Sequence, residues 1–116
     1  MTLTLKTIID SLELTVLTEP ADFKAIQPAG GYVSDLLSCV MAGAEQGYLW
    51  ITLQGHLNVV ALAALKELAA VIITESAPVE PAVVAKANQQ AVTLLTTPLS
   101  SYVVAGRLWE MGLRTG

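Results

Sequence analysis

The residues best suited to bind a ligand stand where three apolar segments of the chain end. They are Gln54, Gly55, His56, Thr74, Ser100 and Ser101. Each group precedes a segment with helical periodicity, and the free N–H groups and dipole at a helix N-terminus favour an anion. The set therefore predicts a site for a small anionic or nucleotide-like ligand. Helix caps and turns use the same residue types, so a purely structural role stays open.

Ser34 and Asp35 are outer candidates for the same site. They follow the pair Gly30-Gly31, which either lets a ligand approach the backbone closely or forms a turn. The sequence contains neither the GxxxxGKS/T nor the GxGxxG pattern of the classical phosphate-binding loops. A kinase or a dinucleotide-dependent enzyme is therefore not expected.

A catalytic or metal site has little support in the residue types. His56 is the only histidine, and no residue at a recognisable spacing orients its ring. Cys39, the only cysteine, lies on a predicted helix without a CxxC partner and is expected to be buried as an apolar residue. A metal site needs several His, Cys or clustered carboxylates. The sequence predicts no catalytic residue, no metal and no cofactor.

An open α/β sheet would bring the candidate residues together at the carboxyl ends of its strands. From Tyr48 onward, strands and helices alternate at a spacing that allows right-handed βαβ crossovers. The predicted strands are Tyr48–Leu53, Ala70–Thr74 and Val92–Leu95, and the predicted helices are Gly55–Leu68, Pro81–Gln90 and Pro98–Gly112. The expected fold is α/β with three layers, a mainly parallel central sheet flanked by helices, in a single domain of residues 1–116.

The chain before Tyr48 contains further elements with weaker signals. A first helix buries Leu5, Ile8, Ile9 and Leu12 and is capped by Thr2 or Thr4. The remaining predictions are strands at Leu14–Leu17 and Phe23–Gln27, and a helix at Ser34–Ala44 capped by Ser34 or Asp35.

The composition is unusually apolar for a small domain. Apolar residues make up 53% of the chain and charged residues 14%, against roughly 25% charged in ordinary soluble domains. The longest apolar region, Leu57–Ile73, is interrupted by Asn58, Lys66 and Glu67 and is shorter than the ~20 residues of a spanning helix. Strands buried on both faces and a homodimer interface explain the composition better than a membrane segment does.

The predicted helix Gly55–Leu68 is the expected dimer interface because it is apolar on more than one face. Leu57, Ala61 and Leu65 belong to the stripe expected to cover the sheet. Val59, Leu62 and Ala63 lie on the additional face, which is expected to meet a second copy of the chain.

The charge distribution excludes nucleic acid as a partner. The formal net charge is −4, and the six lysines and arginines are scattered rather than clustered into a basic patch. A single cysteine forbids an intrachain disulfide, and the N-terminus has no basic segment leading into a long apolar stretch. A cytoplasmic location is therefore expected.

Four stretches of the chain resemble DRTGG domains. They are Gly30–Ser38, Leu49–Thr52, Ala70–Thr74, and Pro98–Ser100 with Ala105–Leu108. The resemblance extends from Thr2 to Gly112, is strongest in the first stretch, and is that of a short stand-alone member. The pattern departs from the family where its Asp-Arg pair falls near Gly55-His56, and where Glu75 and Ser76 replace the two glycines after Thr74.

The resemblance implies an α/β module related in fold to the N-terminal domain of HPr kinase/phosphorylase. DRTGG domains serve regulation and subunit association and are not the catalytic part of their proteins. The expected function is a non-catalytic regulatory module that binds a small anionic or nucleotide-like ligand, forms a homodimer, or does both. One alternative is a pure interaction module that partners a separate enzyme or signalling protein. The other is a small enzyme that uses His56 and Asp35.

Overall fold

The computed structural model describes residues 3–116, which form one five-stranded sheet and five helices. The strands are β1 (Thr15–Val16), β2 (Gly30–Val33), β3 (Tyr48–Thr52), β4 (Ala70–Ile73) and β5 (Leu94–Thr96). The helices are α1 (Leu5–Leu12), α2 (Leu37–Gly43), α3 (Leu57–Leu65), α4 (Pro81–Gln89) and α5 (Ser101–Glu110). The strand order is β1-β5-β4-β3-β2, and only β1 pairs antiparallel to its neighbour. The mainly parallel α/β sheet is confirmed.

Helices cover both faces of the sheet, so the three-layer arrangement is confirmed as well. Tyr48 and Trp50 of β3 pack in one core cluster with α2, α3 and α4, while Leu49 and Ile51 pack in a second cluster with α1 and α5. All residues of β3 and β4 are buried. Their continuous apolar sequences follow from this position, because a central parallel strand meets no water on either face.

The predicted position of the strand before the helix α2 is wrong. The segment predicted as a strand at Phe23–Gln27 contains a short 3-10 turn at Phe23–Ala25, and the strand forms instead at β2, which contains the glycine pair. Gly30 does not make a turn there. A Cβ atom on Gly30 would lie 2.6 Å from the Thr115 carbonyl oxygen and 2.7 Å from the Tyr48 ring. Glycine is needed because the chain's C-terminal segment and the Tyr48 ring pack directly on the strand.

Side chains that accept from a backbone N–H lie in the turn before α2 and at the start of α5. Ser34 Oγ accepts from the Leu36 N–H at 3.1 Å, which keeps residues 34–36 in a turn, and α2 begins later than predicted. Ser100 Oγ accepts from the Val103 N–H at 3.2 Å and caps α5, so Pro98 lies before the helix rather than in its first turn.

The first helix begins as predicted from one of its two candidate caps. Thr4 Oγ1 accepts from the Thr7 N–H at 3.2 Å, and the four predicted apolar residues of α1 are buried. Thr2, the other candidate cap, lies outside the described residues. Among residues 3–116, no helix is long and apolar enough to cross a lipid bilayer.

The outward face of α2 differs from the prediction. Cys39 was expected to be buried but is exposed, because the short helix α2 buries only Val40 within its length. In α5, Val104 and Leu108 fill the core, while Val103 is 39% exposed.

The prediction of which face of α3 meets a second copy of the chain is wrong. Val59, Leu62 and Ala63 are at most 7% exposed and pack in the core cluster shared with α2 and α4. Leu57 and Leu65, which were assigned to the core stripe, are 52% and 69% exposed. The helix is apolar almost all the way round, so its pattern does not fix which side turns toward the sheet.

Candidate functional site

A chain of hydrogen bonds runs along the carboxyl edge of the sheet through four of its side chains. The Asp35 carboxylate accepts from the Thr52 hydroxyl at 2.7 Å and from the Leu53 N–H at 2.8 Å. The Thr74 hydroxyl donates to the Thr52 carbonyl at 3.4 Å and shares a hydrogen bond of 2.7 Å with Ser101. The structure therefore brings Asp35, Thr74 and Ser101 into one network, and Thr52, which was not among the candidate residues, links them.

This network holds the fold together at the edge where the strands end. Thr52 and Thr74 are almost completely buried, and their polar groups already bond to protein partners. Among residues 3–116, no buried side-chain nitrogen or oxygen lacks a hydrogen-bond partner. Buried polar groups of this kind stabilise when they are paired. These hydrogen bonds give Thr74 a structural role that needs no ligand.

A crevice for a ligand would be expected between β4 and β5, because α4 and α5 leave these neighbouring strands toward opposite faces. The two loops that would form it are bonded to each other instead. The Glu75 N–H donates to the Leu99 carbonyl at 2.9 Å, and the Ser76 N–H donates to the Thr97 carbonyl at 3.0 Å. These backbone groups are therefore already engaged within the protein.

Glu75 and Ser76 hold a backbone conformation that favours glycine. Their φ angles are 58° and 53°, in the left-handed region. That region costs an L-residue with a Cβ atom about 1–2 kcal/mol. Neither residue was a candidate from the sequence, since nothing in local periodicity marks a left-handed pair.

The open space nearest to the candidate residues is a cavity of about 460 Å³ between the starts of α3 and α4. Its lining residues are Gly55, His56, Leu57, Asn58, Pro78, Glu80 and Val83. His56 and Glu80 are the N-cap residues of the two helices, and neither side chain caps its helix. Two helix N-termini, each with its partial positive charge, therefore face one cavity.

Gly55 shapes this cavity through a close backbone contact. A Cβ atom on Gly55 would lie 2.8 Å from the Pro78 carbonyl oxygen and 2.9 Å from Val79. Any larger residue would push the loop before α4 away from the start of α3. Glycine at this position thus lets the two helix starts approach each other.

The eight predicted site residues therefore separate into two groups. Gly55 and His56 line the cavity. The others lie in turns, caps and the edge network, and these are Ser34, Asp35, Gln54, Thr74, Ser100 and Ser101. The cavity residues that the sequence prediction missed are chiefly Asn58 and Glu80. Glu80 directly precedes Pro81 of α4, and that helix start was the one signal available for it.

The groups that line the cavity combine features that favour an anion with one negative charge that opposes it. His56 is exposed and can donate to a ligand, whereas the Glu80 carboxylate repels an anion near α4. Within residues 3–116, no three His, Cys, Asp or Glu side chains lie close enough together to hold a metal ion.

The sequence profile of the DRTGG domain matches residues 40–111. The chain belongs to the DRTGG domain family. The match runs from α2 to the end of α5 and includes three of the four stretches that carried the resemblance. The first stretch, Gly30–Ser38, lies outside it, although the sequence alone singled it out as the strongest.

A solved structure has the same fold. It is described as the CBS and DRTGG domains of the regulatory region of Clostridium perfringens pyrophosphatase complexed with the activator diadenosine tetraphosphate. The two share 16% identity and superpose with a TM-score of 0.73. The comparison covers 89% of this DRTGG chain and only 44% of the other. No curated protein matches the chain.

Glycine at positions 75 and 76 is expected to stabilise this DRTGG domain. Glu75→Gly and Ser76→Gly should each raise the free energy of unfolding by up to about 1 kcal/mol. Relief of the left-handed backbone, worth about 1–2 kcal/mol, exceeds the added chain entropy of about 0.4–1 kcal/mol. Urea denaturation followed by circular dichroism measures the change.

The matched control is Ala85→Gly, an exposed position inside α4 with ordinary helical backbone. There glycine should lower the free energy of unfolding by about 1 kcal/mol. Equal losses in Glu75→Gly, Ser76→Gly and Ala85→Gly would show that the left-handed pair carries no strain.

Proposed function

We propose that this DRTGG domain is a non-catalytic regulatory module that binds a small anionic or nucleotide-like ligand in the cavity between α3 and α4, and that it acts as a homodimer. The observation that carries the ligand part is the meeting of two helix N-termini at this cavity. The partial positive charge of both helix starts favours a phosphate or carboxylate there, and the first turn of α3 adds oriented N–H groups. Pro81 at the start of α4 has no N–H to offer.

The charges around the cavity indicate how such a ligand lies. The Glu80 carboxylate stands at the start of α4, so an anionic group is favoured at the start of α3, beside Gly55 and His56. The less charged part of a nucleotide would then lie toward Pro78 and Val83. His56 donates a hydrogen bond to the anion in this arrangement.

The family and the related structure support a regulatory role. The pyrophosphatase region with this fold is regulatory and is complexed with a nucleotide activator. That region also contains CBS domains, and this chain corresponds to less than half of it. The family and this structure therefore support the proposal that the chain is a regulatory module, and they make nucleotides the first ligands to test.

Calorimetric titration with ATP, diadenosine tetraphosphate and inorganic phosphate tests the ligand. His56→Ala should weaken binding of the ligand roughly tenfold or more, because a hydrogen bond to a charged group contributes about 1.5–3 kcal/mol. Glu80→Gln should strengthen it about two- to fivefold, because an opposing charge worth about 0.5–1 kcal/mol is removed.

Gln46→Ala is the control, since Gln46 is exposed and precedes β3 at the opposite edge of the sheet. It should leave binding unchanged. If none of the three compounds gives heat or raises the melting temperature, the ligand part of the proposal fails. The domain would then be a pure interaction module that partners another protein.

The enzymatic alternative finds no support in the geometry around its two residues. The Asp35 carboxylate is engaged by Thr52 and by the Leu53 N–H. Among the described residues, no hydrogen bond joins it to His56. An acid–base pair needs its members within hydrogen-bond reach of each other or of a common substrate.

The cytoplasm is the compartment proposed for the module. Its support is the exposed free thiol of Cys39, which persists in a reducing environment and is easily oxidised outside one.

A further inference from the structure

An uncharged groove lies between α2 and α3 on the outer surface, and we name it the α2–α3 surface. It is an open groove with a volume of about 410 Å³, and its lining residues are Leu37, Ser38, Met41, Asn58, Ala61, Leu62 and Leu65. Leu65 is 69% exposed and Met41 is 47% exposed, and Leu57 continues the apolar strip with 52% exposed. No lining residue is charged. Large exposed apolar patches on a soluble domain mark interaction sites.

The exposed strip on α3 has a symmetric spacing. Leu57, Ala61 and Leu65 are separated by four residues each and lie along one side of the helix. A second α3 running antiparallel would place Leu57 against the partner's Leu65, with the two Ala61 residues facing each other at the centre. The small alanine lets the two helices approach closely, and the leucines at both ends fill the space beside it.

The two ends of α3 favour an antiparallel second copy of this chain on that surface. The formal net charge of −4 on each chain opposes association, and an uncharged contact area keeps that repulsion small. His56 lies at the positive end of α3. At the negative end, Lys66 donates to the Met41 carbonyl at 2.6 Å, and exposed Glu67 follows it. An antiparallel pair brings each positive end beside the partner's negative end, which is favourable at both ends of the contact.

We propose that two copies of this chain associate through the α2–α3 surface, with their α3 helices antiparallel about a two-fold axis at Ala61. The proposal rests on the homodimer part of the proposed function and gives it a surface. Asn58 lines both this groove and the ligand cavity, so α3 carries the ligand site at its start and the dimer contact along its length.

Disulfide trapping tests the two-fold axis directly. The background is Cys39→Ser, because Cys39 is exposed on the neighbouring helix and would crosslink by itself. Ala61→Cys should give a covalent dimer under mild oxidation, since a disulfide requires Cα atoms about 4.4–6.8 Å apart. Leu65→Cys alone should crosslink poorly, whereas Leu57→Cys combined with Leu65→Cys should crosslink well. The reverse pattern would overturn the antiparallel arrangement.

Light scattering at micromolar concentration tests the surface without crosslinks. The wild type should have twice the mass of the 12.2 kDa chain, and Leu65→Glu should weaken the dimer at least tenfold. Trp109→Glu is the control, because Trp109 is 58% exposed on α5, away from the groove. Circular dichroism should show both variants folded.

The outcomes separate this proposal from the one it rests on. A wild-type monomer would refute the homodimer altogether, and with it this surface. A wild-type dimer that survives Leu65→Glu, or that Trp109→Glu breaks, would leave the homodimer in place and overturn only the surface. Binding of ATP or phosphate to Leu65→Glu is measured separately, so loss of the dimer is not mistaken for loss of the ligand.

Discussion

Leu62→Ala is expected to lower the free energy of unfolding by about 2–5 kcal/mol, whereas Leu65→Ala should change it by about 0.5 kcal/mol or less. The two leucines lie in the same helix, but Leu62 is 7% exposed and packs in the core cluster, while Leu65 is 69% exposed. Truncating the buried leucine removes its contacts and leaves a cavity. Truncating the exposed leucine removes few packing contacts from the folded monomer.

Urea denaturation followed by circular dichroism measures both variants, at a protein concentration low enough to keep the chain monomeric. The low concentration matters because dimerisation adds apparent stability to any variant that retains it. Similar losses in Leu62→Ala and Leu65→Ala would mean that α3 turns a different side toward the sheet. A loss in Leu65→Ala that grows with protein concentration would instead support its place in the dimer.

The sequence predicted the sheet well because its central strands have an unambiguous signal. The uninterrupted apolar segments at β3 and β4 can only be buried on both faces, and they alternate with segments of helical length. Alternation of this kind leads to a parallel sheet with crossover helices. The same reasoning could not place β2, because Gly30 and Gly31 carry no apolar pattern and owe their strand to packing by the Tyr48 ring and residue 115.

The sequence could not predict which side of α3 packs against the sheet, because this helix has too many apolar residues rather than too few. A helix with a single apolar stripe shows which side is buried, but α3 has apolar residues on nearly every side. Its burial is decided by where α2 and α4 lie, which is tertiary information. Among residues 3–116, no element covers Leu57 and Leu65, and both stay exposed.

Two of the candidate residues line the cavity between α3 and α4. Gly55 and His56 directly follow the first central strand, so their position at its carboxyl end followed from the fold. Glu80 reaches the same cavity through the loop after β4, and the path of a loop has no periodic signal. The loop's backbone also turns through the left-handed Glu75 and Ser76, where the residue types gave no sign of it.

Trp50→Ala should be the most damaging single truncation among these predictions, lowering the free energy of unfolding by about 3–5 kcal/mol. Trp50 is completely buried in β3 and packs in the cluster formed with α2, α3 and α4. Since small domains are stable by only about 5–15 kcal/mol, much of the variant should be unfolded at physiological temperature. Thermal denaturation followed by circular dichroism gives the loss, and a shift of only a few degrees would contradict it.

Trp50→Phe separates the packing of this side chain from its hydrogen bond. The indole N–H of Trp50 donates to the Ser34 carbonyl at 2.8 Å and so ties β3 to the turn that carries Asp35. Phenylalanine keeps an aromatic ring in the core but leaves that carbonyl without its donor, a loss of about 1–3 kcal/mol. If Trp50→Phe unfolds as readily as Trp50→Ala, the retained ring contributes little, and the indole N–H with its hydrogen bond to Ser34 accounts for most of the loss. If it retains most of the stability but exposes the 34–36 turn to faster amide exchange, the hydrogen bond is what holds that turn beside the carboxyl edge of the sheet.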